Sequence, residues 1–443
     1  MNDAAPAISV SANAAPAMRP SHGRFFILGL IAVGTMINYL DRSVLSVAAP
    51  QVSADLNLTP AIMGIVFSAF SWTYAAAQIP GGIVLDRIGT RITYFFSVSL
   101  WSIFTALQGL TAGFYSLLAC RLGLGVAEAP CFPANSRVLG VWFPQHERAR
   151  ANAVYSVGQY FGLAFLSPLL YWVTAEFGWR ALFIGAGLAG LAFAGIWLMA
   201  YREPGRSRIA NQAELDYIAQ GGGIAVTSAA ADVEKPKLSW SLGMRLLGKR
   251  QILGASIGQF AGNSTLVFFL TWFPTYLATE RGMEWIKVGF YAVLPFIAAS
   301  VGVIVGGLAS DIILRRTGSA NVARKLPIIA GLFLAATIIG ANFADSDVVV
   351  IAILSVAFFG QGMVNLGWTL ISDIAPVKYV GLTGGIFNLC ANLAGIITPI
   401  VVGFIVAGTG SFFFALAYIG ALALLGAFAY IFVVGDVKRV EIE

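Results

Sequence analysis

Charged side chains are scarce in this sequence. Only 11% of its 443 residues are charged, whereas 58% are hydrophobic and the mean hydropathy is +0.81. A soluble domain carries about 25% charged residues, so this composition excludes an ordinary soluble protein. Uncharged runs near or above the ~18–20 residues that span a bilayer as a helix recur along the chain. The sequence therefore predicts an all-α protein that crosses the membrane many times.

Cysteine and histidine are also rare. The three cysteines, Cys120, Cys131 and Cys390, lie in apolar segments and lack the spacing of a metal site. The two histidines, His22 and His146, lie in a tail and in a loop. An intramembrane enzyme would need a nucleophile–base pair or a metal cluster inside a span. We therefore expect no enzymatic activity, no metal and no cofactor.

Twelve hydrophobic segments form the predicted spans. They lie near 25–49, 60–84, 92–110, 114–138, 150–174, 180–200, 252–278, 286–309, 326–344, 348–371, 380–407 and 412–434. Lys and Arg concentrate in alternate loops such as DRIGTR and PQHERARA, whereas LTAGFYS and AGTGS on the other side carry none. The positive-inside rule then predicts that both termini are cytoplasmic. The net charge of +6 is explained by these loops and does not suggest nucleic-acid binding.

A long connection divides the spans into six plus six. We expect a disordered N-terminal tail, a first bundle, a cytoplasmic linker, a second bundle and a cytoplasmic C-terminal tail, at 1–24, 25–201, 202–250, 251–435 and 436–443. In the linker, NQAELDYIAQGGG predicts a short helix capped by Asn211, with Glu214 completing a capping box. The two halves share a loop pattern, GGIVLDRIGTR after span 2 and GGLASDIILRRTG after span 8. Two related six-helix halves are typical of secondary transporters.

Mid-span charges occur only in the first half. Asp41 and Arg42 lie in span 1, and Arg121 and Glu128 lie in span 4. An ionised residue at the bilayer centre costs about 2.5–3.5 kcal/mol on insertion scales and usually faces a cavity or a partner. An arginine binds a carboxylate through two parallel hydrogen bonds, and a nearby acid can gain and lose a proton as its surroundings alternate. The pattern favours a cavity shared by protons and an anion; two static ion pairs that lock span 1 to span 4 are the alternative.

Several strings resemble a known family. The loop GGIVLDRIGTR resembles the signature loop of the major facilitator superfamily. NYLDR, FSAFSWTYAAAQIPGG, RLGLGVAEAPCFPANSRVLGVWFPQHERARA and YSVGQYFGLAFLSPLL resemble its anion:cation symporter family. That family includes bacterial carriers of galactonate, glucarate and hexuronates and, more distantly, sialin and the vesicular glutamate carriers. The resemblance covers nearly the whole chain after residue 24 and implies twelve helices in two pseudo-symmetric halves.

The resemblance also implies roles for individual residues. Arg42 would hold the substrate carboxylate, and the carboxylate or hydroxyls would contact Tyr39, Tyr74 and Gln159. Asp41 and Glu128 would carry protons, tuned by Arg121. Second-half residues would face the polyol end of the substrate, namely Trp368, Ser372, Asn388 and Asn392, although Trp368 equally fits lipid or core packing. The gating loop would comprise Gly82, Asp86, Arg87, Gly89 and Arg91, with Asp311 in the second copy.

The predicted function is proton-coupled import of an organic anion by alternating access. The neutral polar residues favour a sugar acid of the galactonate, glucarate or hexuronate type. The expected protein is a monomer in the bacterial inner membrane, with the anion, protons and the lipid bilayer as its partners. Three alternatives remain: an aromatic or dicarboxylic acid such as phthalate or tartrate as substrate, sodium in place of protons, and a membrane sensor that does not transport.

Overall fold

Helices form almost all of the described chain. The computed structural model describes residues 20–222, 240–376 and 379–441, apart from a few side chains within them, and none of these residues lies in a strand. The first half contains α1 (Gly23–Asp55), α2 (Pro60–Ile88), α3 (Thr90–Gln108), α4 (Phe114–Glu128), α5 (Cys131–Trp142) and α6 (Gln145–Ala200). The linker contains α7 (Gln212–Gln220) and α8 (Trp240–Leu247). The second half contains α9 (Arg250–Thr271), α10 (Phe273–Thr275), α11 (Trp285–Thr317), α12 (Ala320–Ala336), α13 (Asp347–Val364), α14 (Gly367–Ile374), α15 (Val380–Thr409) and α16 (Phe413–Phe428).

These helices make twelve passes. Across the described ranges, ten helical segments are long and apolar enough to cross a membrane, with α4 and α5 joined into one pass and α13 and α14 into another. Helix α3, which is not among these ten, makes an eleventh pass. The twelfth arises because α6 is broken at Gly178, whose φ of +77° lies in the region that favours glycine, so its two arms count as separate passes. The prediction of twelve spans is confirmed.

Local signals account for the tight turns between helices. Thr59 Oγ1 accepts the Ile62 N–H at 3.3 Å, and Pro60 occupies the first position of α2. Both features are typical of a helix start, because the cap satisfies a free N–H and proline lacks one. Gly89, with φ +85°, separates α2 from α3. The connection between α2 and α3 is therefore a single residue of the predicted gating loop.

The linker helix α7 is docked on the start of α1. Asn211 caps α7 as predicted, accepting the Glu214 N–H at 2.9 Å. The rest of the predicted capping box is wrong, because the buried Glu214 carboxylate instead accepts the N–H groups of Gly23 and Arg24 at 3.0 and 3.1 Å and the Ser21 hydroxyl at 2.6 Å. The first turn of α1 has unsatisfied N–H groups and partial positive charge, so it attracts this carboxylate.

Three large buried apolar clusters divide the molecule, and a small fourth one of three alanines lies in the second half. We call the end where α1 begins and α16 finishes the terminal end, and the opposite one the far end. The largest cluster contains residues of both halves, including Phe67 of α2 and Trp272 after α9. The second cluster draws on the first half and α7 alone, and the third on α8 and the second half alone. The halves therefore share a core at the far end and have separate cores towards the terminal end.

Direct backbone approach joins α2 to α15 at the far end. A Cβ atom on Gly64 would lie 2.5 Å from the Pro399 carbonyl oxygen, and one on Gly403 would lie 2.6 Å from that of Pro60. Beside them the rings of Phe67 and Trp272 meet edge to face, with centroids 5.3 Å apart. Small residues allow such close helix packing in membranes. The far end is thus closed, while the two bundles separate towards the terminal end.

Candidate functional site

An ion pair between α1 and α4 forms the centre of the site. Arg42 Nε donates to Glu128 Oε1 at 2.6 Å, and a second guanidinium nitrogen approaches the same oxygen. The Glu128 side chain is fully buried, whereas the Arg42 side chain is 17% exposed. Arg42 therefore stays accessible while a carboxylate of the same protein occupies it. This contact is between helices, so spacing along one helix could not have revealed it.

Four aromatic rings surround the Arg42 guanidinium. Its carbon lies 4.8 to 6.0 Å from their centroids; the rings are those of Tyr39, Phe70, Tyr74 and Phe132. The negative faces of aromatic rings attract a cation within about 6 Å. The sequence predicted Tyr39 and Tyr74 and missed the two phenylalanines. Phe70 lies one helical turn before Tyr74 and stacks on it at 5.2 Å, so a scan for ring pairs four residues apart could have found it.

Arg121 is buried beside this ring of aromatics. Its Nε and one terminal nitrogen each lie 3.4 Å from a carbonyl oxygen of α2, those of Val66 and Phe67. Its guanidinium carbon lies 5.4 Å from the Phe70 ring. Arg121 and Glu128 are two turns apart on α4, about 10 Å along the axis, and the Glu128 carboxylate pairs with Arg42 instead. Arg121 thus adds positive charge near the pair without neutralising it.

Asp41 points away from Arg42 and into the first half. It is 1% exposed, and neither carboxylate oxygen has a hydrogen-bond partner among the described residues. Successive helical residues point about 100° apart, which explains how the two neighbours face different surroundings. Asp41 and Arg42 therefore do not pair with each other.

The predicted second-half residues lie on α14 and α15. Trp368 is 40% exposed, and its ring packs edge to face on Phe387 at 5.0 Å. Ser372 Oγ donates to the Trp368 carbonyl at 2.9 Å, and Asn392 Nδ2 donates to the Asn388 carbonyl at the same distance. No described hydrogen bond, ion pair or ring contact joins these residues to Arg42. The side chain of Gln159 lies outside the described residues.

Comparison with known proteins identifies the family. The model of the Major Facilitator Superfamily matches residues 31–399. The chain belongs to this superfamily. It is 44% identical to the D-galactonate transporter of Escherichia coli O6:H1 over 96% of this chain and 98% of that protein. It is 41% identical to the probable galactarate/D-glucarate transporter of Escherichia coli K12 over 98% of both chains. The crystal structure of the D-xylose–proton symporter shares the fold, with a TM-score of 0.71 at 16% identity over 94% of this chain and 98% of that one.

Membership of a transporter superfamily identifies the chain as a multi-pass transporter rather than an enzyme. Within the described residues, no group of three or more His, Cys, Asp and Glu could hold a metal ion. The polar centre instead combines a cation, two acids and aromatic walls. Groups of this kind have the chemistry to bind an anion and to exchange protons.

The superfamily's signature loop forms contacts at the terminal end. Asp86 Oδ1 lies 3.3 Å from an Arg137 guanidinium nitrogen, in a pair that is largely exposed. Arg91 donates to the Leu198 carbonyl from two nitrogens at 3.2 and 2.5 Å, which links the start of α3 to the end of α6. Arg87 is exposed, and the position of a Cβ on Gly82 is open. The loop therefore braces the first half internally.

The second copy of the loop uses different residues. Asp311 is exposed and takes part in none of the described ion pairs. Its neighbour Ser310 accepts from Arg324 at 2.7 Å, and Arg324 also pairs with Asp373 at 2.9 Å. The sequence missed Arg324 and Asp373, because nothing in their local context distinguishes them from ordinary loop charges. The brace of the second half thus joins α11, α12 and α14.

Proposed function

We propose that the protein imports a sugar acid together with protons by alternating access. The observation that carries this proposal is the Arg42–Glu128 pair within a ring of aromatic side chains. An arginine that binds carboxylates is held there by an acid that can be protonated. Protonation of Glu128 releases the guanidinium, so anion binding requires a proton.

Alternating access follows from the distribution of the core. A shared cluster closes the far end, while the two halves have separate clusters towards the terminal end. With both termini cytoplasmic, as the basic loops favour, this arrangement is open to the cytoplasm and closed to the outside. Rocking of the two halves about the level of Arg42 opens the far end and closes the terminal end. A single polypeptide contains both halves and suffices as a monomer in the bacterial inner membrane.

The relatives support a sugar acid as the substrate class. The two Escherichia coli relatives are named for D-galactonate and for galactarate and D-glucarate. Each of these molecules has a carboxylate for Arg42 and several hydroxyls for neutral polar groups. We assign that second role to Tyr39, Tyr74 and Gln159 in the first half, and to Trp368, Ser372, Asn388 and Asn392 in the second.

Proton uptake driven by substrate tests the proposal. Purified protein in proteoliposomes with an internal pH-sensitive dye and a clamped membrane potential should acidify the lumen when D-galactonate or D-glucarate is added. Phthalate and tartrate serve as competing substrates, and replacement of sodium by choline tests sodium coupling. Asp41→Asn should abolish uphill accumulation and retain exchange of labelled substrate.

Three results would contradict the proposal. They are substrate entry without acidification, strict dependence on sodium, and full uphill accumulation by both Asp41→Asn and Glu128→Gln. A protein that binds sugar acids and never moves them would instead be a sensor.

A further inference from the structure

Two arginines share one carbonyl oxygen at the terminal end. Arg91, at the start of α3, donates to the Leu198 carbonyl from Nε at 3.2 Å and from a terminal nitrogen at 2.5 Å. Arg202, just after α6, donates to the same oxygen at 2.9 Å and to the Tyr201 carbonyl at 2.9 Å. A single neutral oxygen thus holds two positive charges side by side, and like charges this close repel each other. We call this pair, Arg91 and Arg202, the basic corner.

No carboxylate of the described chain neutralises the basic corner. Neither arginine takes part in any of the described ion pairs. The acids nearest to them along the chain are turned elsewhere, because Asp86 pairs with Arg137 at 3.3 Å and Oε2 of Glu203 is buried. The guanidinium nitrogens that the Leu198 and Tyr201 carbonyls leave unused are not among the buried atoms, so they reach the surface. The corner therefore offers N–H donors and unbalanced positive charge to an anion from outside.

Further positive charge follows the basic corner along the chain. Arg206 and Arg208 are exposed and take part in none of the ion pairs in the described ranges. They lie in the stretch after α6 that contains the 3₁₀ turn Pro204–Arg206. The corner is thus part of a wider positive surface at the terminal end.

An apolar surface begins at the basic corner and runs towards the far end. The start of α3 and the end of α6 are joined there, because Trp197 Nε1 donates to the Arg91 carbonyl at 3.0 Å. The two helices stay close, since a Cβ on Gly187 would lie 2.5 Å from the Ser102 carbonyl oxygen. Exposed apolar side chains continue from the corner along both helices, namely Phe96, Leu100 and Ile103 of α3 and Met199, Ile196 and Leu188 of α6.

We propose that the basic corner binds the phosphate group of an anionic phospholipid, whose acyl chains lie along the exposed apolar faces of α3 and α6. A phosphodiester has one negative charge and two free oxygens, and the planar fork of an arginine matches phosphate geometry. Basic pockets between membrane helices on the cytoplasmic side bind anionic headgroups, and the basic loops favour a cytoplasmic terminal end. The phosphate balances the two cations, and the apolar faces distinguish a lipid from a soluble anion.

The bound lipid clamps α3 to the second arm of α6. Each arginine then contacts both the Leu198 carbonyl and the phosphate, so the headgroup bridges the two helices. A ligand that binds only the folded protein stabilises it by mass action. Added anionic phospholipid should therefore raise the melting temperature of the purified protein.

Arg202→Gln is the decisive variant, because it removes one charge and keeps an N–H donor for the Leu198 carbonyl. Binding of dioleoyl phosphatidylglycerol to the purified full chain in neutral detergent micelles is measured by native mass spectrometry and by the shift in melting temperature. We expect the variant to bind this lipid at least about fivefold more weakly than the wild type. Arg202→Lys keeps the charge and loses the fork, so its affinity should lie between the two. Arg91→Gln repeats the test if Arg202→Gln does not fold.

Arg316→Gln is the matched control. Arg316 is exposed near the end of α11, also at the terminal end, and takes part in none of the described ion pairs. The control loses the same charge in the other half and should bind phosphatidylglycerol like the wild type. An equal loss of binding in Arg316→Gln would show a response to net charge alone and would overturn the site.

Two other probes separate a lipid from other sources of phosphate. Dioleoyl phosphatidylcholine carries the same phosphate with a compensating positive group and should bind at least about fivefold more weakly than phosphatidylglycerol. Inorganic phosphate at the same concentration should neither raise the melting temperature nor displace the lipid. Equal binding of the two lipids, displacement by inorganic phosphate, or unchanged phosphatidylglycerol binding in Arg202→Gln and Arg91→Gln would each overturn the proposal. These measurements involve no transport, so their outcome is independent of the proposed function.

Discussion

Replacing Glu128 by glutamine tests whether the protein's own carboxylate competes with the substrate for Arg42. In the structure, Glu128 accepts from Arg42 Nε at 2.6 Å and takes a second contact on the same oxygen. At neutral pH an incoming sugar acid must displace this carboxylate before it can bind. An amide of the same size keeps the packing and removes the negative charge. Glu128→Gln should therefore bind substrate more tightly than the wild type at neutral pH.

The size of the gain follows from the contacts that are lost. A hydrogen bond to a charged group contributes about 1.5–3 kcal/mol, and a neutral acceptor provides roughly half of a charge-assisted bond. One such hydrogen bond, from Nε, holds Arg42, so the amide weakens the competitor by about 0.75–1.5 kcal/mol. That difference lowers the dissociation constant by roughly 4- to 13-fold. The gain should be larger at pH 8 than at pH 5.5, because protonation of Glu128 also leaves Arg42 free.

Calorimetric titration of D-galactonate into the purified variant at both pH values measures this effect. Glu147→Gln is the matched control, because Glu147 also pairs with an arginine in the first half, Arg24 at 3.1 Å, and lies near the terminal end. Its dissociation constant should equal that of the wild type. Equal affinities for Glu128→Gln and wild type at pH 8 would refute the competition between Glu128 and the substrate.

Two further predictions concern stability and gating. Glu214→Gln should lower the melting temperature of the purified protein by several degrees, because the buried carboxylate caps the start of α1 and pairs with Arg24. Asp216→Asn, on the exposed side of α7, is the control and should leave the melting temperature unchanged. Equal melting temperatures of the two variants would contradict the docking of α7 on α1. Gly64→Ala should slow substrate exchange and make a cysteine introduced at Ser71 more reactive, because the new Cβ would meet the Pro399 carbonyl at 2.5 Å and push α2 away from α15. Gly29→Ala, with open space around its Cβ, is the control and should change neither the exchange rate nor the cysteine reactivity. A Gly64→Ala variant in which both are unchanged would refute closure of the far end by this contact.

The sequence predicted the fold because lipid imposes a simple rule. Each span must be a long apolar helix, so hydropathy and loop charge predicted twelve spans. The ends of the helices were less predictable, because hydropathy identifies only the part of each helix that lies in the lipid. Span 1 was predicted at 25–49, whereas α1 runs from Gly23 to Asp55. Span 4 was predicted as continuous, yet α4 ends at Glu128 and α5 begins at Cys131.

The candidate site was only partly predictable, for a different physical reason. Intramembrane charge is costly, so Asp41, Arg42, Arg121 and Glu128 stood out by composition alone. Which of them pair depends on how α1, α3 and α4 pack, and helical periodicity describes only one helix at a time. The role of Glu214 was predicted wrongly for the same reason. The start of α1, which is distant in sequence, offers the Glu214 carboxylate better hydrogen-bond donors than its own helix does.

Charge balance at Arg42 connects the static structure to obligatory coupling. An uncompensated charge buried between the halves costs several kcal/mol, so the carrier changes conformation readily only when Arg42 has a negative partner. Two states meet that condition: the empty carrier, in which ionised Glu128 holds Arg42, and the loaded carrier, in which Glu128 is protonated and the substrate holds Arg42. A carrier with substrate and ionised Glu128 has one negative charge too many, and an empty carrier with protonated Glu128 has one too few. In the mechanism that we propose, both mixed states are disfavoured, so substrate and proton cross together or not at all.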